Sequence, residues 1–127
     1  MKNCNPLKVP MSTSTHLRKD METKPVDVFL FKSICGSLIY VCNTRFDISY
    51  SVSYVSKFAN SPQEAHMTAL KNILRYLKGS MDLALFYPYG DDQPLVSFAD
   101  EDYGGCRDTR RSTLGIIHKL GEAAIDW

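Results

Sequence analysis

The sequence predicts an α+β fold, helical in its first half and β in its second, on three observations. Apolar residues recur at helical spacing between Phe31 and Cys42. The tetrapeptide Ser61-Pro62-Gln63-Glu64 is a helix-start signal followed by a second strongly periodic run. Beyond Gly79 the apolar period falls to two, the period of strands. Helices followed by strands make an α+β chain rather than an alternating α/β one.

The elements follow in order. Residues 1–27 are polar, carry Pro6, Pro10, Pro25 and Ser12-Thr13-Ser14-Thr15, and show no period, so they read as an extended linker or arm. Asp27 is a candidate N-cap for the first helix, where Phe31, Ile34, Cys35, Leu38, Ile39 and Cys42 fall on one face. Gly36 costs that helix ~1 kcal/mol relative to alanine unless a neighbouring helix packs closely there.

A second helix is expected from Thr44, whose hydroxyl is placed to accept from the backbone of Asp47. Ile48, Val52, Val55 and Ala59 form one stripe of it, and Tyr50, Tyr54 and Phe58 a second. In the third helix Ser61 is the expected cap, with Pro62 at the first position and Glu64 three residues after the cap. Met67, Leu70, Ile73, Leu74 and Leu77 face the core, and Gly79 is expected to end the helix in a left-handed conformation. A helical region thus covers residues 28–80 and a β segment residues 81–127.

In the β segment, Leu83–Tyr87 reads as a strand, Tyr87-Pro88-Tyr89-Gly90 as a turn and Leu95–Asp100 as a strand with Val96, Phe98 and Asp100 on one face. Thr113–Leu120 and Ala123–Trp127 form a hairpin around Gly121-Glu122, a two-residue turn with glycine first.

Length and composition exclude several classes. The chain has 127 residues, enough for one modest core, with 44% hydrophobic and 23% charged residues. A formal net charge of +1 gives no global case for nucleic acid, so any such case rests on a local patch. No apolar stretch approaches the ~20 residues of a membrane helix, and Met1-Lys2-Asn3-Cys4-Asn5-Pro6 lacks the apolar core of a signal peptide. Cys4, Cys35, Cys42 and Cys106 show no Cys-x-x-Cys spacing and read as reduced thiols of an intracellular protein, in cytoplasm or nucleus.

Two clusters carry possible chemistry. Lys71, Arg75 and Lys78 fall at i, i+4 and i+7, a basic ridge opposite the apolar face with Tyr76 beside it. Three cations on one ridge can contact successive phosphates without reading sequence, although most such ridges are solvated helix faces. Asp100-Glu101-Asp102 closes a strand and by itself reads as a solvated acidic turn, a common feature of strand ends. Arg45 and Asp47 read as a structural ion pair, and His66 has no second ligand near it in sequence.

Two segments place these residues in a family. Phe31–Tyr50, with Gly36-Ser37-Leu38-Ile39-Tyr40 and Thr44-Arg45-Phe46-Asp47-Ile48-Ser49, and Ser97–Thr113, with Asp100-Glu101-Asp102-Tyr103-Gly104-Gly105, resemble the Pol polyprotein of copia-type retrotransposons. The point of resemblance is where reverse transcriptase gives way to ribonuclease H. Ala69–Ser80 is similar to the helix that precedes the ribonuclease H domain and lies near the template–primer, thumb-like in role. The resemblance implies a three-helix region after the polymerase palm, then an incomplete antiparallel ribonuclease H-like sheet. It makes Asp100 a vestigial nuclease metal ligand, with Asp102 secondary, and makes Lys71, Arg75 and Lys78 contacts to nucleic acid. Phe46 stands where the family has proline, Met67 where it has tryptophan, and Cys106 where it commonly has aspartate.

The parent activities are RNA-directed DNA polymerase and ribonuclease H, with Mg2+ as the parent cofactor. The polymerase aspartates lie upstream of Met1 in the family, and the other nuclease carboxylates lie beyond the position of Trp127. The expectation is therefore a chain without catalysis or cofactor of its own unless another chain completes the site around Asp100. Its expected partners are an RNA–DNA hybrid or other nucleic acid, bound weakly, and copies of itself through exposed sheet edges, with no membrane. The competing expectation is a co-opted module binding nucleic acid or protein, of which a secreted effector is one version. Thr15-His16-Leu17-Arg18 holds only the last two positions of the Arg-x-Leu-Arg motif of such effectors. Residues 28–78 are expected to fold better than residues 95–127.

Overall fold

A computed structural model of the chain describes residues 3–90, 94–106 and 108–127. Among the described residues it has three α-helices and a three-stranded antiparallel sheet, an α+β architecture, in two compact units: residues 1–83 and residues 84–127.

In the first unit, α1 spans Val28–Cys42, a single 3-10 turn spans Phe46–Ile48, α2 spans Ser49–Ser56 and α3 spans Glu64–Gly79. Asp27 caps α1 as expected, its carboxylate accepting from the N–H groups of Phe29 and Leu30 at 2.8 and 3.0 Å. The core is built from Phe31, Cys35 and Leu38 of α1, Ile48, Val52 and Val55 of the 3-10 turn and α2, and Met67, Leu70 and Ile73 of α3. Each large side chain so buried stabilises the fold by roughly 1.5–3 kcal/mol before the entropy of ordering is counted. Ile39, predicted on the core face, is instead half exposed, because the buried stripe narrows to Phe31, Cys35 and Leu38.

Residues 3–26 form no helix and lie along this unit. Leu17 is buried in the core, and its backbone N–H and carbonyl both bond the Tyr54 hydroxyl, at 3.1 and 3.3 Å. Further along, Val26 N–H donates to the Pro62 carbonyl and Glu64 N–H to that of Lys24.

Three helix ends differ from expectation. Thr44 does not cap the second helix: its hydroxyl donates back to the Val41 carbonyl, and the Asp47 carboxylate is drawn to Arg45 and Tyr76 instead. A 3-10 turn therefore precedes α2, which starts at Ser49. The cap of α3 is Gln63 rather than Ser61, two residues later than the Ser-Pro signal places it. Gln63 has extended backbone, and its N–H donates to His66 Nδ1 at 3.0 Å, so an imidazole takes the role that a glutamate plays in the usual capping box. Gly79 does not adopt positive φ. It is the last residue of α3, and a Cβ there would sit 2.8 Å from Pro6 Cβ and 3.2 Å from the Leu7 carbonyl oxygen. The glycine is needed for the close approach of the arm, not for a left-handed cap.

In the second unit, β1 (Leu95–Asp102) pairs antiparallel with β2 (Thr113–Leu120), and β2 pairs with β3 (Ala123–Asp126), in the order β1-β2-β3. The β2–β3 turn has Gly121 at φ +58°, the glycine-first turn the sequence predicts. A register shift falls between His118 and Lys119. Directly paired residues share a face, so Val96, Phe98, Asp100 and Asp102 lie together with Lys119, Ile117, Gly115 and Thr113. Leu83–Tyr87 does not form the predicted strand, and Tyr87–Gly90 has no assigned turn. Alternation alone does not make a strand; the backbone needs a ladder partner, and none of the three strands pairs with this stretch.

Candidate nucleic-acid ridge and acidic strand end

The exposed cations of α3 arise from helical spacing, since Met67, Leu70 and Ile73 claim one face and leave Lys71, Arg75 and Lys78 on the other. Lys71 is exposed. Arg75 is half-buried; its Nε–H donates to the Asn5 carbonyl at 2.7 Å and its Nη1 to Asn72 Oδ1 at 3.4 Å. Lys78 Nζ donates to the Cys4 carbonyl at 2.9 Å. The Leu7 N–H in turn donates to the Arg75 carbonyl at 3.3 Å. Two of the three ridge cations thus hold the backbone of the N-terminal arm.

Tyr76, next to this ridge in sequence, points inward. Its hydroxyl donates to Asp47 Oδ2 at 2.6 Å, within a cluster the sequence revealed only as an Arg45–Asp47 pair. Arg45 grips Asp47 with two bonds, Nε to Oδ1 at 2.9 Å and Nη2 to Oδ2 at 2.7 Å. The same guanidinium reaches the Ser80 carbonyl and hydroxyl at 2.8 and 2.6 Å, which ties the 3-10 turn to the C-terminal end of α3. The Arg45 hydrogen bonds hold the Asp47 carboxyl below the ordinary carboxylate range, and the Asp47 carboxylate pushes the Tyr76 phenol up. This cluster is structural: every charge in it is already matched by a neighbour. The spacing Ile73–Tyr76 was the one signal in the sequence that could have turned Tyr76 toward it.

His66 is fully buried, stacked on Phe58 with ring centroids 4.3 Å apart. Nδ1 accepts from Gln63 N–H, so Nε2 carries the proton and donates to the Arg18 carbonyl at 2.8 Å. Both ring nitrogens serve the fold, as the sequence suggests for a histidine without a second ligand.

At the sheet, Asp100 is exposed at the outer half of β1, and its Oδ1 accepts from the Glu101 N–H at 2.9 Å. Asp102, on the same face, accepts the Thr113 N–H with Oδ1, while its Oδ2 lies where a Cβ on Gly105 would be. Asp102 therefore braces the β1–β2 loop, whose backbone also closes through Arg110 N–H to the Cys106 carbonyl at 2.8 Å. Asp100 and Asp102 are two carboxylates from one strand, whereas a two-magnesium site draws several ligands from separate elements. Among the described residues no three His, Cys, Asp or Glu side chains gather to hold a metal ion. No disulfide joins the cysteines among the described residues; Cys35 is buried, Cys42 half-buried, and burial pushes both thiols up. Among the described residues no helix is long and apolar enough to cross a membrane.

No family model matches the chain, and no solved structure matches it. It is similar to the Retrovirus-related Pol polyprotein from transposon RE1 of Arabidopsis thaliana, 39% identical over 127 residues, all of this chain and 9% of that protein. The Retrovirus-related Pol polyprotein from transposon TNT 1-94 of Nicotiana tabacum is 36% identical over 135 aligned residues, covering all of this chain and 10% of that protein. The Secreted RxLR effector protein 161 of Plasmopara viticola is 34% identical over 98 residues, 76% of this chain and 69% of that protein. The chain thus spans about a tenth of the length of the Pol polyproteins it matches. With both of its motif-bearing segments inside matches that run its full length, the chain belongs to the Pol polyproteins of copia-type retrotransposons.

Proposed function

We propose that this stretch is the part of a copia-type Pol polyprotein where a helical region following the reverse transcriptase palm leads into the first strands of a ribonuclease H-like domain. The parent activities are then RNA-directed DNA polymerase and ribonuclease H, both intracellular. The stretch itself binds the backbone of a template–primer or RNA–DNA hybrid through Lys71, Arg75 and Lys78 and performs no catalysis alone. The observation that carries this reading is the match to Pol polyproteins across all 127 residues, helical and β parts alike. The order of elements and the position of Asp100 at the outer half of β1 support it. The commitment of the Asp102 carboxylate to the β1–β2 loop supports the non-catalytic part, because the next carboxylate on the same face as Asp100 is already bonded.

The test is binding of a labelled RNA–DNA hybrid at graded salt, with a magnesium-dependent cleavage assay on the same samples. Binding that falls steeply with salt is expected, and Lys71→Gln should lower the slope by about one. Hybrid cleavage that requires magnesium and disappears in Asp100→Asn would overturn the non-catalytic reading.

One observation favours a second reading, a protein turned to a use outside transposition: the similarity to an effector named as secreted. In this chain the Leu17-Arg18 half-motif is built into the fold. Leu17 is 5% exposed, and the Arg18 carbonyl accepts from His66. A receptor that reads an extended motif would have to strip it from the core. Cell-surface binding lost in Arg18→Ala but retained in Lys71→Gln would favour this second reading.

A further inference from the structure

We infer that the N-terminal arm and a nucleic-acid backbone compete for the same cations, so that residues Cys4–Leu7 form a built-in autoinhibitory strap over the α3 ridge. The inference rests on the reading of Lys71, Arg75 and Lys78 as phosphate contacts. Phosphate prefers a guanidinium fork in which two N–H groups point the same way. Arg75 has one member of each fork already donated, Nε to Asn5 and Nη1 to Asn72. Lys78 is turned onto the Cys4 carbonyl. Among the described residues no arm contact falls on exposed Lys71, and a single phosphate contact gives weak binding with a shallow salt slope, which steepens once the arm leaves Arg75 and Lys78.

The strap is seated by shape as well as by charge. Its Leu7 N–H bonds the Arg75 carbonyl, and Pro6 rests where Gly79 has no side chain. The seat is not filled: an open hollow of about 480 Å3 beside it is lined by Pro6, Leu7, Tyr76, Gly79 and Leu83, among others. A segment held by a few hydrogen bonds next to a hollow is poised to leave. The carbonyls it offers carry partial charge where a phosphate oxygen carries a formal one, so phosphate is the stronger acceptor. Binding and arm release are then linked, and each must favour the other.

The experiment follows the Leu7 amide by hydrogen exchange in the full chain, with and without an RNA–DNA hybrid, alongside hybrid binding by fluorescence anisotropy. Gly79→Leu serves as the arm-released form: leucine suits a helix, but its side chain needs the space of Pro6. Hybrid should speed Leu7 exchange in the wild type, and Gly79→Leu, with its helical circular dichroism intact, should lose Leu7 protection and bind roughly threefold to tenfold tighter. Hybrid that binds while Leu7 stays protected overturns the competition and leaves the nucleic-acid reading standing. Absence of binding by both the wild type and Gly79→Leu overturns both. Binding by Gly79→Leu alone supports the strap in its strongest form, and a Leu7 amide still protected in Gly79→Leu overturns the seat itself.

Discussion

Ile73 of α3 and Phe98 of β1 are both large apolar side chains in the middle of well-formed elements, yet Ile73 is fully buried and Phe98 is 55% exposed. The contrast holds for the units around them. The helices gather Phe31, Leu38, Val55 and Leu70 into a closed core, whereas the sheet leaves Leu95, Leu114 and Ile116 exposed and, among its described residues, buries Ala123 and Ala124 as its apolar side chains. Both regions are built of regular hydrogen-bonded elements, so the presence of backbone pairing is not what separates them. Because the net worth of a backbone bond is small and burial supplies most of the stabilisation, the helical unit should carry most of the stability.

Matched truncations put the largest effect on this comparison. Ile73→Ala should destabilise the chain by about 2–5 kcal/mol, while Phe98→Ala should stay within about 0.5 kcal/mol. Denaturant midpoints of the two variants give the answer. Equal losses would mean that Phe98 is covered by something in solution, which would break the comparison.

The next effect probes the polar cluster inside the helical unit. Asp47→Asn leaves Arg45 without its charge partner and weakens the Tyr76 acceptor, and should cost about 1–3 kcal/mol. Its pH dependence has a definite sign. The carboxyl of Asp47 is lowered in the folded state, chiefly by the Arg45 hydrogen bonds, so its contribution is fully present above the ordinary value of 3.8. That contribution is lost as pH falls through the folded value. Urea titrations at neutral and acidic pH should therefore converge for wild type and Asp47→Asn at the acid end; curves that stay parallel would remove Asp47 as a pH-linked element.

How far the sequence exposed all this depends on how local each signal is. Asp27 as a cap and the buried stripe Phe31, Cys35, Leu38 are set by neighbours within a few turns, and periodicity reveals them. Gly121 is legible for the same reason, because a two-residue hairpin needs positive φ at its first position. The Gln63–His66 cap was hidden because no short pattern assigns an imidazole to that role, and because Arg18, its other partner, is 48 residues away. Gly79 misled in the opposite way, since a terminal helix glycine usually signals chain reversal and here it admits Pro6. The ridge cations were found by spacing, but their engagement with Cys4 and Asn5 is a contact across 74 and 70 residues that no local pattern encodes. Asp100 came from family resemblance alone.

Gln63→Ala tests the side-chain half of that cap, since the backbone N–H that His66 accepts is kept, and should cost about 1–2 kcal/mol, the upper part of the capping range. The excess over an ordinary cap is expected because Gln63 Oε1 also accepts the Met21 N–H at 2.7 Å, joining arm to helix. Thermal melts should show the loss with the sheet unaffected, and faster exchange of the Met21 amide should accompany it. An unchanged melt would assign the start of α3 to Glu64 and the helix dipole instead.

The smallest effect has the opposite sign and compares two glycines of the helical unit. A Cβ on Gly36 meets nothing within 4 Å, while one on Gly79 meets the arm. The backbone of Gly36 is ordinary helix, so Gly36→Ala removes the glycine penalty without a clash and should stabilise by up to ~1 kcal/mol. Calorimetry should register this as a Tm rise of a few degrees, on the order of 4–8 °C per kcal/mol for a unit of this size. Gly36 lies on α1 with exposed Phe29 and Tyr40, at 84% and 78%. A fall in Tm would therefore mean that a second surface closes over this face of α1 in solution, and that its glycine is kept for a contact between chains rather than tolerated within one.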